Sequence, residues 1–319
     1  MGEVRRLAAI DIGTVTTRLL VADVSDRGVA EVARYSTITH LGDGWTGTGR
    51  LSEAAIERVA STVAEFVAEA RSSGAVEVFG VATSASRDAE NSADFLDRLA
   101  QTGMRPEIIS GAREAELTFL GATYDLGGED TLVVDVGGGS TELVLGDRDD
   151  DGCVEIVSAR SVDVGSKRVT ELYLRSDPPR ERELEEAGAF VTEELRPFFE
   201  GLRARPKDMI AVAGTATSLA AIDMALDPYD PARVHGYRLG AHAIADIRED
   251  LAAMTLERRM HVVGLEPARA GVIVAGALIL ETALALAGLD STLVSEHDIL
   301  YGMVIDRYRS SCCVRHARE

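Results

Sequence analysis

The stretch DVGGGSTELVLGD, residues 135–147, decides how this chain folds. Its three glycines stand between an apolar run at 131–134 and a second at 143–145, the pattern of two strands joined by a turn almost bare of side chains. The pattern occurs twice. DIGTVTTRLLVAD at 11–23 aligns on it without a gap, and Asp, Gly, Thr, Leu and Asp recur at 11/135, 13/137, 17/141, 19/143 and 23/147.

The surroundings of the two copies agree. After the first come a β-like segment at 28–38, a helical pattern over 52–72 and a buried strand at 76–83. Helix 85–102, strand 106–110 and helix 112–122 follow. After the second, a strand near 153–163, helices 165–175 and 180–204, and a strand from 209 keep the same order. A helix from Thr217, a longer helical region, strand 291–295 and a last helix 298–308 complete it. Each half reads β-β-β-α-β-α-β-α, and GGED at 127–130 marks the boundary. The expected architecture is α/β with two facing domains: an N-terminal one over 1–126, and a C-terminal one with extra helices over 127–319. An interdomain active-site cleft is expected between them, because pockets form preferentially at domain interfaces.

Composition narrows the partners. A formal charge of −20 argues against nucleic acid or an anionic membrane, and leaves open a small anionic ligand held by local fields. Of three cysteines two are adjacent (Cys312 and Cys313) and Cys153 stands alone, so no disulfide framework is expected and a reducing cytoplasm is the simplest compartment. Asp11 interrupts the first apolar run, against a signal peptide. The apolar segment at 271–289 contains Glu281, and a charge at mid-bilayer costs about 2.5–3.5 kcal/mol. A buried core helix is the better reading.

Glycines at a hairpin turn let successive backbone N–H groups face one concavity, which suits phosphate oxygens. Gly137, Gly138 and Gly139 supply such a backbone, and Ser140 and Thr141 add hydroxyls. In the first copy Gly13, Thr14, Thr16 and Thr17 occupy the same places. Neither a Walker loop nor a GxGxxG opening a helix after a strand is present, so phosphate charge has to be offset by a cation. Asp135 and Glu142 offer hard oxygen ligands for Mg²⁺ or Mn²⁺, with Asp11 expected across the cleft. A solvated strand position is the alternative for Glu142.

Five ordered blocks carry a family resemblance: AAIDIGTVTTRLLVAD, GVATSASRDAEN, EIISGAREAELTFLGA, LVVDVGGGSTELVLG and IAVAGTATSLAAI. They resemble the exopolyphosphatase/guanosine pentaphosphate phosphohydrolase family in its short, two-domain form. YDPARVHGYRL and VSEHDILYGM extend the likeness towards the C-terminus. The resemblance implies ribonuclease-H-like domains of the actin, Hsp70 and sugar-kinase superfamily. It also implies hydrolysis of phosphoanhydrides, with polyphosphate or guanosine pentaphosphate as substrate. The Ser110-Gly111-Ala112-Arg113-Glu114-Ala115 block gives Glu114 the general-base role, and Arg87 matches the family's phosphate-facing basic residue. Gly214 and Thr215 match a turn near the nucleoside in nucleotide-binding relatives. Val15 departs from the pattern, which has Asn there, and Arg113 stands where an acidic residue is frequent.

A metal-dependent exopolyphosphatase releasing terminal orthophosphate is the leading expectation. A guanosine pentaphosphate 5′-phosphohydrolase and a non-catalytic nucleotide- or alarmone-binding regulator of the same fold are the alternatives. A sugar kinase or Hsp70-type ATPase fits poorly in 319 residues. A homodimer is the assembly to test.

Overall fold

The computed structural model describes residues 3–43, 48–149 and 152–316, and the side chains of Cys312 and Cys313 lie outside the described ones. Two compact units result. One comprises the chain up to Gly121 together with the segment from Ile299; the other is Ala122–Asp298.

In the first unit β1 (Arg5–Ile12), β2 (Thr16–Ser25) and β3 (Gly28–Ile38) form an antiparallel meander, followed by β4 (Glu77–Ala82) and β5 (Glu107–Ile108). The sheet order is β3-β2-β1-β4-β5, with β4 and β5 parallel to β1. The helix Glu53–Ser72 begins at Ser52, whose side chain accepts from the Ala55 amide and so caps the first turn. Its Ile56, Val59, Val63, Phe66 and Val67 join Ala8, Ile10 and Ile12 in one apolar core.

That core uses only one face of the sheet. Leu7 and Ala9, with their cross-strand partners Ala22 and Leu20, line the other face and are also fully buried. A strand pair apolar on both faces needs a second cover; bare leucines would each cost about 1.5–3 kcal/mol. The helix Ile299–His316 supplies it, packing on β1 and β2. This helix, expected in the second domain, therefore returns to the first unit. Gly302 permits the close approach, since a Cβ there would lie 1.8 Å from the Leu117 carbonyl oxygen. Arg113 pairs with Asp306 at 2.5 Å, and Arg34 lies over the Tyr301 ring. Arg113 is thereby tied into the packing of this helix rather than presented to a ligand.

The second unit repeats the plan. β6 (Thr131–Val136), β7 (Thr141–Arg148), β8 (Val154–Val162), β9 (Asp208–Val212), β10 (Tyr237–Gly240) and β11 (Ser291–Val294) form a sheet of order β8-β7-β6-β9-β11-β10. The first five match the order of the first unit; β10 is an added antiparallel edge. The two-domain α/β class expected from the repeated hairpin and the resemblance is the class found. The apolar run at 271–289 forms the helix Ile273–Ala287 inside the core, and Glu281 is paired with Arg248. Among the described residues no helix is long and apolar enough to cross a membrane.

Candidate active site

Both glycine turns close the same way. The Gly137 amide donates to the Ser140 carbonyl at 3.0 Å, and the Gly13 amide to the Thr16 carbonyl at 2.9 Å. A Cβ at Gly137 would lie 3.0 Å from the Ser140 oxygen and one at Gly13 3.1 Å from the Thr16 oxygen. Neither residue is left-handed; close approach of backbone, not φ, makes glycine suitable at both.

What holds the second turn is the start of the helix Ser166–Tyr173. The Gly137 carbonyl accepts from the Ser166 amide (2.8 Å) and hydroxyl (3.1 Å). The Gly138 carbonyl accepts from the amides of Lys167 (3.0 Å) and Arg168 (3.1 Å), and the Gly139 carbonyl from Arg168 Nε (2.9 Å). Three successive carbonyls thus face one helix terminus. A trans peptide is planar with its N–H opposite its C=O, so the N–H groups of Gly138, Gly139 and Ser140 face away from that helix together. Among the described residues none of the three donates a hydrogen bond to the chain. Backbone dipoles so directed suit an anion. Gly165 makes it feasible: a Cβ there would sit 2.4 Å from the carbonyl carbon and oxygen of Gly138.

In the first turn the Thr14 carbonyl accepts from the Gly42 amide, and the Val15 carbonyl from the amides of Thr39 and His40. The N–H groups of Val15 and Thr16 are turned away from that segment by the same geometry. Thr14 Oγ1 lies 3.0 Å from Ser84 Oγ. Thr17 and Thr141, expected to offer hydroxyls to phosphate, are fully buried and engaged inside the fold. Thr17 Oγ1 bonds Thr39 Oγ1 at 3.0 Å, and Thr141 donates to the Val164 carbonyl at 2.5 Å. The strand pleat turns them inward, where each fastens its hairpin to the segment beyond.

Carboxylates stand beside both turns. Asp11 faces Arg18 across β1 and β2, and Asp135 faces Glu142 across β6 and β7. Asp11 is buried and held by Arg18, with Nη2 at 2.6 Å and Nε at 3.1 Å. At the equivalent position of the second unit two buried carboxylates are neighbours, and Glu142 accepts from Ser161 Oγ at 2.7 Å. Directly opposed side chains have Cβ atoms about 4.5–5.5 Å apart. Two all-oxygen ligands at that spacing suit a hard divalent cation.

Glu114 and Arg87 come together in the first unit. Glu114 lies in the first turn of the helix Gly111–Ala122, which Ser110 caps by accepting from the Arg113 amide at 3.2 Å. Arg87 ends the short helix Ser84–Asp88 after β4. Its Nη1 donates to Glu114 Oε2 at 3.3 Å and to the Ile109 carbonyl at 3.2 Å. Glu114 is buried, and the pair sits where two strand ends pass into helices. Gly214 and Thr215 open the helix Ala213–Asp223 after β9, beside the end of β6. Thr215 Oγ1 donates to the Val136 carbonyl at 3.4 Å, and the Arg269 guanidinium covers Gly214.

Sequence reasoning missed Arg18, Ser161, Gly165 and the anchoring of the turn by Ser166 and Arg168. Alignment of the two hairpins pointed to the first, since Arg18 stands in register with Glu142. A glycine directly before a helix was the signal for Gly165. A further group, Asp125, His235 and His297, is assembled from three distant segments.

Comparison with known proteins places the chain in a family. Residues 20–307 match the model of the Ppx/GppA phosphatase family. Exopolyphosphatase 2 of Mycobacterium tuberculosis is 38% identical over 321 residues, covering 94% of this chain and 98% of the relative. The crystal structure of an exopolyphosphatase-like protein superposes with a TM-score of 0.88 at 35% identity, covering 95% of this chain and 99% of the other. An Aquifex aeolicus member of the Ppx/GppA family superposes with a TM-score of 0.81 at 30% identity, covering 97% and 99%. With a family match over most of its length and relatives this similar from end to end, the chain belongs to the Ppx/GppA phosphatase family and is a hydrolase of the exopolyphosphatase type.

Proposed function

We propose that this protein releases terminal orthophosphate from inorganic polyphosphate in a reaction dependent on Mg²⁺ or Mn²⁺. The observation that carries the reading is the turn at Gly137–Ser140, whose three carbonyls are held by one helix terminus so that three consecutive N–H groups face the other way. The names of the relatives support polyphosphate as the chain's substrate. The unpaired, exposed Cys153 is in keeping with a reducing cytoplasm.

In this reading water attacks the terminal phosphorus in line with the bridging oxygen. The bridging bond breaks, and orthophosphate leaves a chain one unit shorter. Glu114 orients the water and accepts its proton. Arg87, whose Nη1 is fixed by Glu114 and the Ile109 carbonyl and whose Nε lies 3.6 Å from Asp88, offers Nη2 to non-bridging oxygens. The Gly138, Gly139 and Ser140 amides hold phosphate oxygens. Asp135 and Glu142 would hold the divalent ion, whose charge offsets that of the phosphates. Asp11, neutralised by Arg18, shapes the first turn in place of binding metal.

A phosphate-release assay on long polyphosphate, short polyphosphate, guanosine pentaphosphate and ATP tests the reading. Turnover on polyphosphate above the nucleotides is the expected result. Faster release from guanosine pentaphosphate would transfer the assignment to the pentaphosphatase. Absence of turnover on all four, with tight nucleotide binding, would make the protein a regulator.

A further inference from the structure

We propose that Asp125, His235 and His297 form a transition-metal site that takes Zn²⁺, separate from the hard-cation position at Asp135 and Glu142. All three residues belong to the second unit. The antiparallel pairing of β10 with β11 matches Tyr237 to Val294 and so brings the segments bearing His235 and His297 together. Asp125, in the turn after the helix Gly111–Ala122, meets both rings. Its Oδ2 lies 3.1 Å from His235 Nε2 and its Oδ1 3.1 Å from His297 Nδ1. The two rings are tilted by 38° with centroids 4.2 Å apart, and one ligand atom from each residue lies within 4.8 Å of the others.

Each 3.1 Å contact is close to the spacing of two ligands on a tetrahedral zinc, and because the two contacts use different Asp125 oxygens, the three ligand atoms, now within 4.8 Å, draw together on binding. Zinc bonds of about 2.0–2.2 Å to nitrogen and oxygen place ligand atoms roughly 3.3–3.5 Å apart. Two imidazoles and a carboxylate select Zn²⁺, Co²⁺ or Ni²⁺ over Mg²⁺, which prefers oxygen throughout. The Asp125 side chain is 43% exposed, so a fourth position can be filled from solvent.

The scaffold around the ligands is firm. The His297 amide donates to Ser295 Oγ at 3.0 Å, and the Tyr124 ring meets His297 edge-on at 5.7 Å. The Glu296 contact opposes the metal. The Glu296 amide donates to His235 Nδ1 at 3.2 Å, whereas coordination through Nε2 moves the ring proton to Nδ1 and breaks that bond. Losing one hydrogen bond weakens binding by roughly tenfold at most. A three-ligand zinc site has many decades of affinity to set against it.

The test uses the full chain, stripped of metal by chelation and kept in saturating Mg²⁺. Titration with Co²⁺ is expected to give the intense visible bands of a tetrahedral centre, saturating at one equivalent and abolished by Zn²⁺. Zn²⁺ should raise the melting temperature. His297→Gln and Asp125→Asn, each with an unchanged far-ultraviolet dichroism spectrum, should weaken Co²⁺ binding at least 100-fold and abolish the thermal shift. Two variants keep the test usable if one fails to fold. Absence of tetrahedral bands in the wild-type protein, or bands of undiminished affinity in the folded variants, would overturn the proposal and leave the cluster as an aspartate bridging two histidines.

Discussion

Replacing Gly165 by alanine tests whether the glycine turn binds phosphate or only shapes the sheet. The added Cβ would lie 2.4 Å from the carbonyl carbon and oxygen of Gly138 and 2.5 Å from that of Gly139. Ordinary carbon contacts begin near 3.5 Å, so the overlap is about 1 Å, and both neighbours are backbone that cannot rotate aside. Gly165 has φ −127° and ψ 159°, which alanine adopts freely. The cost is therefore overpacking, about 1–3 kcal/mol, less the 0.4–1 kcal/mol that alanine returns by restricting the unfolded chain. A net loss near 1–2 kcal/mol lowers the melting temperature by a few degrees. Relief comes by moving the helix terminus about 1 Å from the turn, which breaks hydrogen bonds now 2.8–3.1 Å long to the carbonyls of Gly137, Gly138 and Gly139. Once the peptides lose that anchor, the three N–H groups no longer converge. Each charge-assisted contact is worth about 1.5–3 kcal/mol, so misaligning one weakens phosphate binding roughly 10- to 100-fold. Calorimetric titration with inorganic phosphate, on the sample used for melting, measures both effects. Gly240→Ala is the control: Gly240 also precedes a helix in extended conformation, but its Cβ would meet nothing within 4 Å. A lowered melting point with wild-type phosphate affinity in Gly165→Ala would refute the anion-binding reading of the turn.

Three further outcomes are expected. Glu114→Gln should keep the melting temperature within a degree or two and lower kcat about 10²–10⁴-fold; near wild-type turnover would remove Glu114 from the proton transfer. Arg18→Ala takes the partner from buried Asp11, and should destabilise by about 2–3 kcal/mol, below the 3–5 kcal/mol of a fully buried pair because Arg18 keeps some solvent contact. Adding Asp11→Asn should restore most of that loss in a denaturant titration, and no recovery would show that the ion pair is not the cause. Exhaustive chelation should abolish phosphate release, and Asp135→Asn should raise the Mg²⁺ concentration for half activity. An unshifted Mg²⁺ dependence would take Asp135 out of the metal site.

The hairpins, the parallel strands and the buried helix at Ile273–Ala287 were legible because each carries its own period or an unbroken apolar run. What the pattern does not carry is which partner covers a face. The burial of Leu7, Ala9, Leu20 and Ala22 is met by a helix nearly three hundred residues away, and nothing local in Ile299–His316 says so. The expected helix 85–102 is two helices because Ala89 is extended (ψ 133°) and Asn91 bonds the Leu51 backbone in both directions. β10 has four residues on a sheet edge, too few to show a period. In the candidate site the residue types were readable and their directions were not. Thr17 and Thr141 align with each other, but only the pleat shows that both hydroxyls face inward.

The duplicated hairpins show how one geometry takes two jobs. Position for position, Asp11 matches Asp135 and Arg18 matches Glu142, and in each unit the pair is directly opposed across two antiparallel strands. With Arg18 the first pair neutralises itself: its hydrogen bonds at 2.6 and 3.1 Å occupy Asp11 and leave the first turn no anionic neighbour needing a cation. With Glu142 the second pair sets two buried carboxylates directly opposite each other, oxygen donors of the kind a hard divalent cation takes. The second turn is also the one with three glycines and a helix terminus behind it, where phosphate would add further negative charge. In the proposed reaction the metal would therefore be held by the second hairpin and not by the first. Converting Glu142 to Arg, in imitation of the first hairpin, should then leave the sheet intact but abolish Mg²⁺ binding, measured by calorimetry, together with turnover, whereas a folded variant that kept Mg²⁺-stimulated release would show that the metal is held elsewhere.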